Sequence, residues 1–250
     1  MPNLPNPMVI TLDHFNRMRE HFQQHYFLSN CNTNFGGQDI QVSWSSFSLV
    51  VENFIKSGNV VPDTVALRFV HCYDSMKNEL YLRMQVCTMI PVPGKPHSFN
   101  LDTQKSSWCT IEDGAITPAN NTDLFDQNYL NNFYYCDADI CSTVSLVNLA
   151  SDQAAVKFVR NLVFPWAQEV RKINTDNGSP ANAFICFAAG SHNNTSPVLA
   201  HPHALAIYMR KHDGTPLLDN TMHAVEFQNK AGDVCTLCPP NCNSYILPKS

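Results

Sequence analysis

The sequence predicts an α+β protein in which antiparallel sheets pack against helices. Apolar residues recur three or four apart near the start of the chain, which is the spacing of one helix face. Farther along, several segments alternate apolar and polar residues with period two, which is the pattern of strands. Most connections between these strands are shorter than the dozen or so residues of a parallel crossover. We therefore expect antiparallel pairing rather than a doubly wound nucleotide-binding sheet.

Two helices are predicted in the first quarter of the chain. The first runs from Thr11 to Tyr26, with Thr11 placed to cap its start. Ser45 or Ser46 is expected to cap the second helix, and Gly58 to end it. The inward residues of the second helix recur at the intervals expected for one helix face: Phe47, Val50, Val51, Phe54 and Ile55.

A β-hairpin is predicted after the second helix. Its strands are Thr64–Tyr73 and Leu80–Met89, joined by the polar segment Asp74–Glu79. Each strand is expected to place its alternating apolar side chains on one face: Val65, Leu67 and Phe69, then Leu80, Leu82, Met84 and Val86. The segment Pro91–Ser107 contains three prolines and has no periodicity, so it is expected to be a long surface loop.

The rest of the chain is expected to contain further helices and strands. The predicted helices are Thr122–Tyr135 and Ser151–Ile173, and Pro165 interrupts the second because proline has no N–H to donate. The predicted strands are Trp108–Ile116, Ala183–Ala189, His203–Arg210 and Met222–Phe227, with a turn at Asp213-Gly214 between the last two.

This order of elements predicts two related α+β halves, although a single domain would also fit 250 residues. Residues 1–90 form a helix–helix–hairpin half, and residues 91–121 form a loop-rich connection. Residues 122–234 form a helix-rich half that ends in antiparallel strands. Residues 235–250 form a tail rich in cysteine and proline.

Composition limits the classes of function. Charged residues make up 15% of the chain and the net charge is −5, which disfavours disorder and a nucleic-acid-binding surface. No apolar run is long enough to span a membrane, and residues 1–8 lack the pattern of a secretory signal. We therefore expect a cytoplasmic protein without membrane or nucleic-acid partners.

The tail contains the sharpest candidate site. Cys235 and Cys238 form a C-x-x-C pair, a spacing that lets two thiolates bind one metal ion. Cys242 and His223 would complete a Cys3His zinc site. A disulfide within the tail, or thiols without special chemistry, would fit the same residues. Zinc is the only cofactor that the sequence indicates.

A second candidate metal site lies near residue 200. His201 and His203 point to the same side of an extended chain, and His192 and Asp213 are possible further ligands. Such a site would make the protein a metal-dependent hydrolase. A nucleophilic pair of Cys186 and His203 is disfavoured, because the apolar residues around Cys186 would raise the pKa of its thiol.

Two parts of the chain carry a resemblance to other proteins. The hairpin strands Thr-Val-Ala-Leu-Arg-Phe-Val-His-Cys-Tyr (64–73) and Leu-Tyr-Leu-Arg-Met-Gln-Val (80–86) are the first part, and Cys238-Pro-Pro-Asn-Cys242 is the second. Together they resemble a loose group of uncharacterised bacterial proteins. The resemblance implies a bacterial cytoplasmic origin and no particular activity.

The leading functional hypothesis is a non-enzymatic protein that binds a protein partner or further copies of itself. The sequence contains no G-x-S-x-G, H-E-x-x-H, G-x-G-x-x-G or P-loop motif, so no catalytic residue is assigned. A surface with few charges also offers little repulsion against association. The Cys-rich tail would then be a metal-stabilised or partner-contacting element. The alternative is the metal-dependent hydrolase at the histidine-rich site.

Overall fold

The structure of the chain is a computed structural model, which describes residues 9–11, 13, 15–20, 39–74, 79–94, 98–119, 134–137, 140–143, 162–191, 203–217, 221–224 and 245–246. Antiparallel strands predominate in these ranges and helices pack against them, which confirms the predicted α+β class. The strands are β1 (Val9–Thr11), β2 (Ile40–Ser43), β3 (Val65–Asp74), β4 (Glu79–Pro91), β5 (Ser98–Glu112), β6 (Ala115–Ala119), β7 (Tyr134–Asp137), β8 (Ile140–Thr143), β9 (Leu162–Pro165), β10 (Phe184–Ser191), β11 (His203–Arg210), β12 (Thr221–Ala224) and β13 (Tyr245–Ile246). The helical segments are α1 (residues 15–20), α2 (Trp44–Gly58), a 3-10 turn (Pro62–Thr64), a π-helix (Trp166–Val170) and α3 (Arg171–Asp176).

The described strands form two large antiparallel sheets and a separate hairpin. Sheet A has the strand order β1-β12-β11-β10-β2. Sheet B has the order β13-β5-β4-β3-β9, and β6 also pairs with β5. The hairpin consists of β7 and β8. In the part of the chain that the structure describes, no helix is both long and apolar enough to cross a membrane.

The main core lies where the two sheets and α2 meet. The ring of Phe69 in sheet B lies 5.3 Å from that of Phe187 in sheet A, measured between centroids. Phe47 of α2 contacts Phe187 at 5.6 Å, and Trp166 of the π-helix stacks on Trp44 at 5.7 Å. The apolar face predicted for the hairpin is confirmed at its described side chains, which are buried in this core: Val65, Leu67, Phe69, Leu82, Met84 and Val86.

Helix α2 agrees closely with its prediction. Phe47 and Val51 are fully buried, as their spacing of four requires for one helix face. The helix ends at Gly58, and Asn59 follows in the left-handed conformation with φ 47°. The cap is Ser43 rather than Ser45 or Ser46, because Ser43 is the last extended residue of β2 and its side chain accepts a hydrogen bond from the Ser46 N–H.

The first predicted helix is correct only in part. Residues 13 and 15–20 are helical, whereas Thr11 lies in β1 instead of capping the helix. The short segment Val-Ile-Thr is β-branched throughout and pairs with β12, which explains its extended form. Residues 21–26 lie outside the described ranges.

The loop predicted for Pro91–Ser107 is wrong over residues 98–107, which lie in β5, whereas residues 92–94 lie outside any strand as predicted. In β5, a bulge interrupts the alternation of the two faces of the strand. Cys87 of β4 lies opposite Ser106, whereas the next residue, Thr88, lies opposite Asp102. The carboxylate of Asp102 accepts hydrogen bonds from two backbone N–H groups of the extra residues. A bulge of this kind removes the period-two signal on which the prediction depended.

The helix predicted for Ser151–Ile173 is also wrong over residues 162–165, which form β9. Phe164 lies opposite Leu67 of β3, so pairing with sheet B overrides the helical spacing of this segment. Pro165 ends this edge strand, a position where a missing N–H costs little. Helical structure follows in the π-helix and α3, which begins at Arg171.

Several other predictions overlap the described ranges. Residues 134 and 135 belong to β7 rather than to a helix, and residues 122–133 are not described. The strands predicted near residues 183–189 and 203–210 are confirmed as β10 and β11, and residues 222–224 lie in β12. The segment Trp108–Ile116 spans the end of β5, a turn and the start of β6. The division into two related halves stays a prediction.

Candidate functional site

The zinc site predicted for the tail stays a prediction. Cys235, Cys238 and Cys242 lie outside the described residues. The backbone of His223 lies within sheet A, opposite Val9 of β1 on one side and Ile207 of β11 on the other. The structure therefore places one of the four proposed ligands in a strand and leaves the other three undescribed.

The alternative histidine site is described only at two positions. His192 and His201 lie outside the described ranges, and His203 begins β11, opposite Ser191. Asp213 is exposed in a turn, where hydrogen bonds from Thr215 lower the pKa of its carboxyl group. Among the described residues, no three His, Cys, Asp or Glu side chains lie close enough together to hold a metal ion.

The three cysteines whose side chains are described are all buried thiols. Burial raises the pKa of Cys186 to about 12, as its apolar surroundings predicted. Burial likewise raises the pKa of Cys87 and of Cys109 to about 12. These thiols remain protonated at neutral pH, so they are poor nucleophiles and poor metal ligands.

A polar and aromatic cluster lies on the face of sheet B that points away from the main core. We call it the arginine face, and it consists of Arg68, Tyr81, Arg83, Gln85, Ser106 and Trp108. The strand register brings these residues together, because Gln85 of β4 lies opposite Arg68 of β3 and opposite Trp108 of β5. Alternate residues of β4 share a face, so Arg83 lies beside Gln85 while Met84 between them is buried in the core.

A chain of hydrogen bonds connects three strands of the arginine face. Arg68 Nη1 donates to Gln85 Oε1 at 3.1 Å, and Gln85 Nε2 donates to Ser106 Oγ at 2.8 Å. The Gln85 side chain is only 2% exposed, so both ends of its amide need partners, and both have them. This network holds the guanidinium of Arg68 in one orientation at the surface of the sheet.

Both arginines also lie over aromatic rings. The Arg68 Cζ atom is 5.4 Å from the ring centroid of Trp108, and the Arg83 Cζ atom is 5.8 Å from that of Tyr81. Arg68 and Arg83 are diagonal neighbours across β3 and β4, about 7 to 8 Å apart at the backbone. Two half-buried guanidinium groups therefore lie close together on this face of sheet B.

Sequence reasoning missed the arginine face because its members are scattered along the chain from residue 68 to residue 108. The alternation of β4 predicted an apolar face through Leu82, Met84 and Val86, and it therefore also placed Arg83 and Gln85 together on the opposite face. The pairing of Gln85 with Trp108 was not predictable, because most of β5, up to Ser107, was expected to be a loop.

A second polar cluster, centred on Asp39, connects α1 to sheet A. The Asp39 side chain is 5% exposed and lies 3.0 Å from Arg19 of α1 and 3.3 Å from Arg210 of β11. It also accepts a short hydrogen bond from the hydroxyl of Tyr208, and burial together with Asp39 raises the pKa of that hydroxyl. Every polar atom of this carboxylate therefore faces a protein donor, which fits a structural role.

Glu169 is a buried carboxyl in the π-helix. Glu169 is 6% exposed, and burial raises the pKa of its carboxyl group to about 8. Its Oε1 atom has no hydrogen-bond partner among the described residues. Glu169 is therefore mostly protonated at neutral pH and lowers the stability of the fold as it ionises.

Comparisons of the chain with protein-family models, with curated proteins and with solved structures found no match.

Proposed function

We propose that this chain acts by binding and that the arginine face binds a small anionic ligand with a planar group. The observation that carries the proposal is the placement of Arg68 and Arg83 as diagonal neighbours, each over an aromatic ring. A guanidinium group offers several N–H donors in a planar fork that matches the oxygens of a carboxylate or a phosphate. Trp108 supplies an aromatic surface beside that fork for a planar group of the ligand.

The partial burial of the face favours such a ligand. Charge-assisted hydrogen bonds gain strength where water is partly excluded, and the side chains of Arg68, Arg83 and Trp108 are half-buried. The amide of Gln85 fixes Arg68 before the ligand arrives, which reduces the entropy lost on binding. The net charge of −5 opposes long polyanions, so a small ligand is favoured over a nucleic acid.

Binding of a small ligand has more support in the described residues than self-assembly through strand edges. The outer edge of β2 is occupied at Gln41, because the Gln41 N–H donates to Asp113 at 3.2 Å and the Gln41 carbonyl accepts from the Gly114 N–H at 2.7 Å. The edge strand β6 contains Pro118, which has no N–H to offer a further strand. Both features hinder edge-to-edge pairing.

The proposal is tested by calorimetric titration with phenyl phosphate, which joins a phosphate to an aromatic ring. We expect saturable binding that Arg68→Gln and Arg83→Gln each weaken. Losing one charge-assisted hydrogen bond costs about 1.5 to 3 kcal/mol, which corresponds to roughly a 10- to 100-fold rise in Kd. Phenol tests the ring without the anion and is expected to bind far more weakly.

Arg171→Gln is the matched control, because Arg171 is an exposed arginine on α3 and its loss changes the net charge equally. We expect the same Kd in this variant as in the parent chain. Circular dichroism spectra establish that each variant is folded. A parent chain that fails to bind phenyl phosphate, or one whose Kd is unchanged by Arg68→Gln and Arg83→Gln, would contradict the proposal.

A further inference from the structure

The hairpin of β7 and β8 places two cysteines opposite each other. β7 pairs antiparallel with β8, and the register sets Cys136 opposite Cys141. The pair next to it is Asp137 with Ile140, so only two residues of the sequence separate the strands. Cys136 and Cys141 are therefore neighbours both along the chain and across the ladder.

This register suits a disulfide. Directly opposed residues of an antiparallel pair have Cα atoms about 4.5 or 5.5 Å apart, depending on whether they exchange hydrogen bonds. Cysteines joined by a disulfide have Cα atoms about 4.4 to 6.8 Å apart. Both kinds of opposed pair fall within that range of Cα distances, so the register is compatible with a disulfide between Cys136 and Cys141.

We propose that Cys136 and Cys141 form a redox-active pair that closes the hairpin with a cross-strand disulfide. The oxidant is a low-molecular-weight disulfide. The thiolate of one cysteine attacks a sulfur of this disulfide and releases one small thiol, which leaves a mixed disulfide on the protein. The thiolate of the other cysteine then attacks the protein sulfur and releases the second small thiol. Two protein thiols and one small disulfide thus give one protein disulfide and two small thiols.

The test uses the folded full chain at equilibrium in a buffer of low-molecular-weight thiol and disulfide. Free thiols are then alkylated, and the chain is digested under denaturing, non-reducing conditions with a protease that cleaves before aspartate. Cleavage before Asp137 and Asp139 separates the two cysteines into peptides 126–136 and 139–151. We expect mass spectrometry to find these peptides linked in the oxidised sample and separate after reduction.

Two comparisons decide the proposal. Cys136→Ser is expected to abolish the linked peptide, whereas Cys87→Ser, which removes a buried thiol elsewhere, is expected to leave it unchanged. Positioning by the folded strands predicts that the ratio of linked peptide to mixed disulfide is about tenfold higher in the folded chain than in urea. The proposal is overturned if Cys136 links to another cysteine, if mixed disulfides predominate in the folded chain, or if urea leaves the ratio unchanged.

Discussion

Replacing Glu169 by glutamine removes a buried titratable group while keeping the shape of the side chain. Burial raises the pKa of Glu169 from 4.5 to about 8 in the folded chain. The folded state therefore binds the proton more tightly than the unfolded state does. The free energy of unfolding falls as the pH rises from about 4.5 to about 8, because the unfolded chain releases this proton first.

The size of the effect follows from the shift in pKa. One unit corresponds to about 1.4 kcal/mol, so the parent chain loses about 4 kcal/mol between pH 4 and pH 8.5 at this site, of which about 3 kcal/mol is lost by pH 7. Glutamine does not titrate, so Glu169→Gln lacks this loss. Burying the glutamine amide adds a cost of its own, but that cost is the same at every pH.

The assay is urea denaturation of both chains at several pH values from 4.5 to 8.5. We expect the unfolding free energy of Glu169→Gln, relative to that of the parent chain, to increase as the pH rises. Glu52→Gln is the matched control, because the Glu52 side chain is 52% exposed on α2. A difference that stays flat across this range, or an equal slope in Glu52→Gln, would refute the assignment of a buried, protonated carboxyl at Glu169.

Two further substitutions test how the fold is held together. Asp39→Asn leaves two arginines facing a neutral amide and is expected to cost about 3 kcal/mol in urea denaturation. Asp13→Asn removes only an exposed ion pair and is expected to cost less than about 0.5 kcal/mol. Phe47→Ala empties the centre of the main core and is expected to cost about 3 to 5 kcal/mol. Leu49→Ala, at a position 52% exposed on the same helix, is expected to change stability little. Equal losses in a substitution and its control would contradict the corresponding packing argument.

The parts of the fold that were predictable carry their own periodicity. Helix α2 has inward residues four apart and ends at Gly58, directly before the left-handed residue Asn59. The strands β3 and β4 alternate over ten residues or more, and β10 is a continuous apolar run around Cys186. Each of these signals comes from one segment and needs no information about its partners.

The parts that were not predictable depend on distant residues. The sequence of β9 has the apolar spacing of a helix, but the segment is extended because it pairs with β3. In β5, the bulge at Asp102 interrupts the period-two alternation of apolar and polar residues. The arginine face requires three strands in one register, so Arg68 and Trp108 meet only in the folded chain. Of the residues proposed from the sequence as metal ligands, only Asp213 has a described side chain, and its hydrogen bonds belong to a turn.

The most direct test of the proposed function is a titration of 15N-labelled chain with phenyl phosphate, followed through the indole N–H signals. The chain has three tryptophans, so its spectrum contains three indole signals, and Trp108→Phe identifies the one in the arginine face. Trp44 and Trp166 stack on each other in the main core and serve as internal controls. We predict that the Trp108 signal moves saturably while the other two stay in place. A Trp108 signal that does not move, or that moves no more than those of Trp44 and Trp166, would contradict binding at the arginine face.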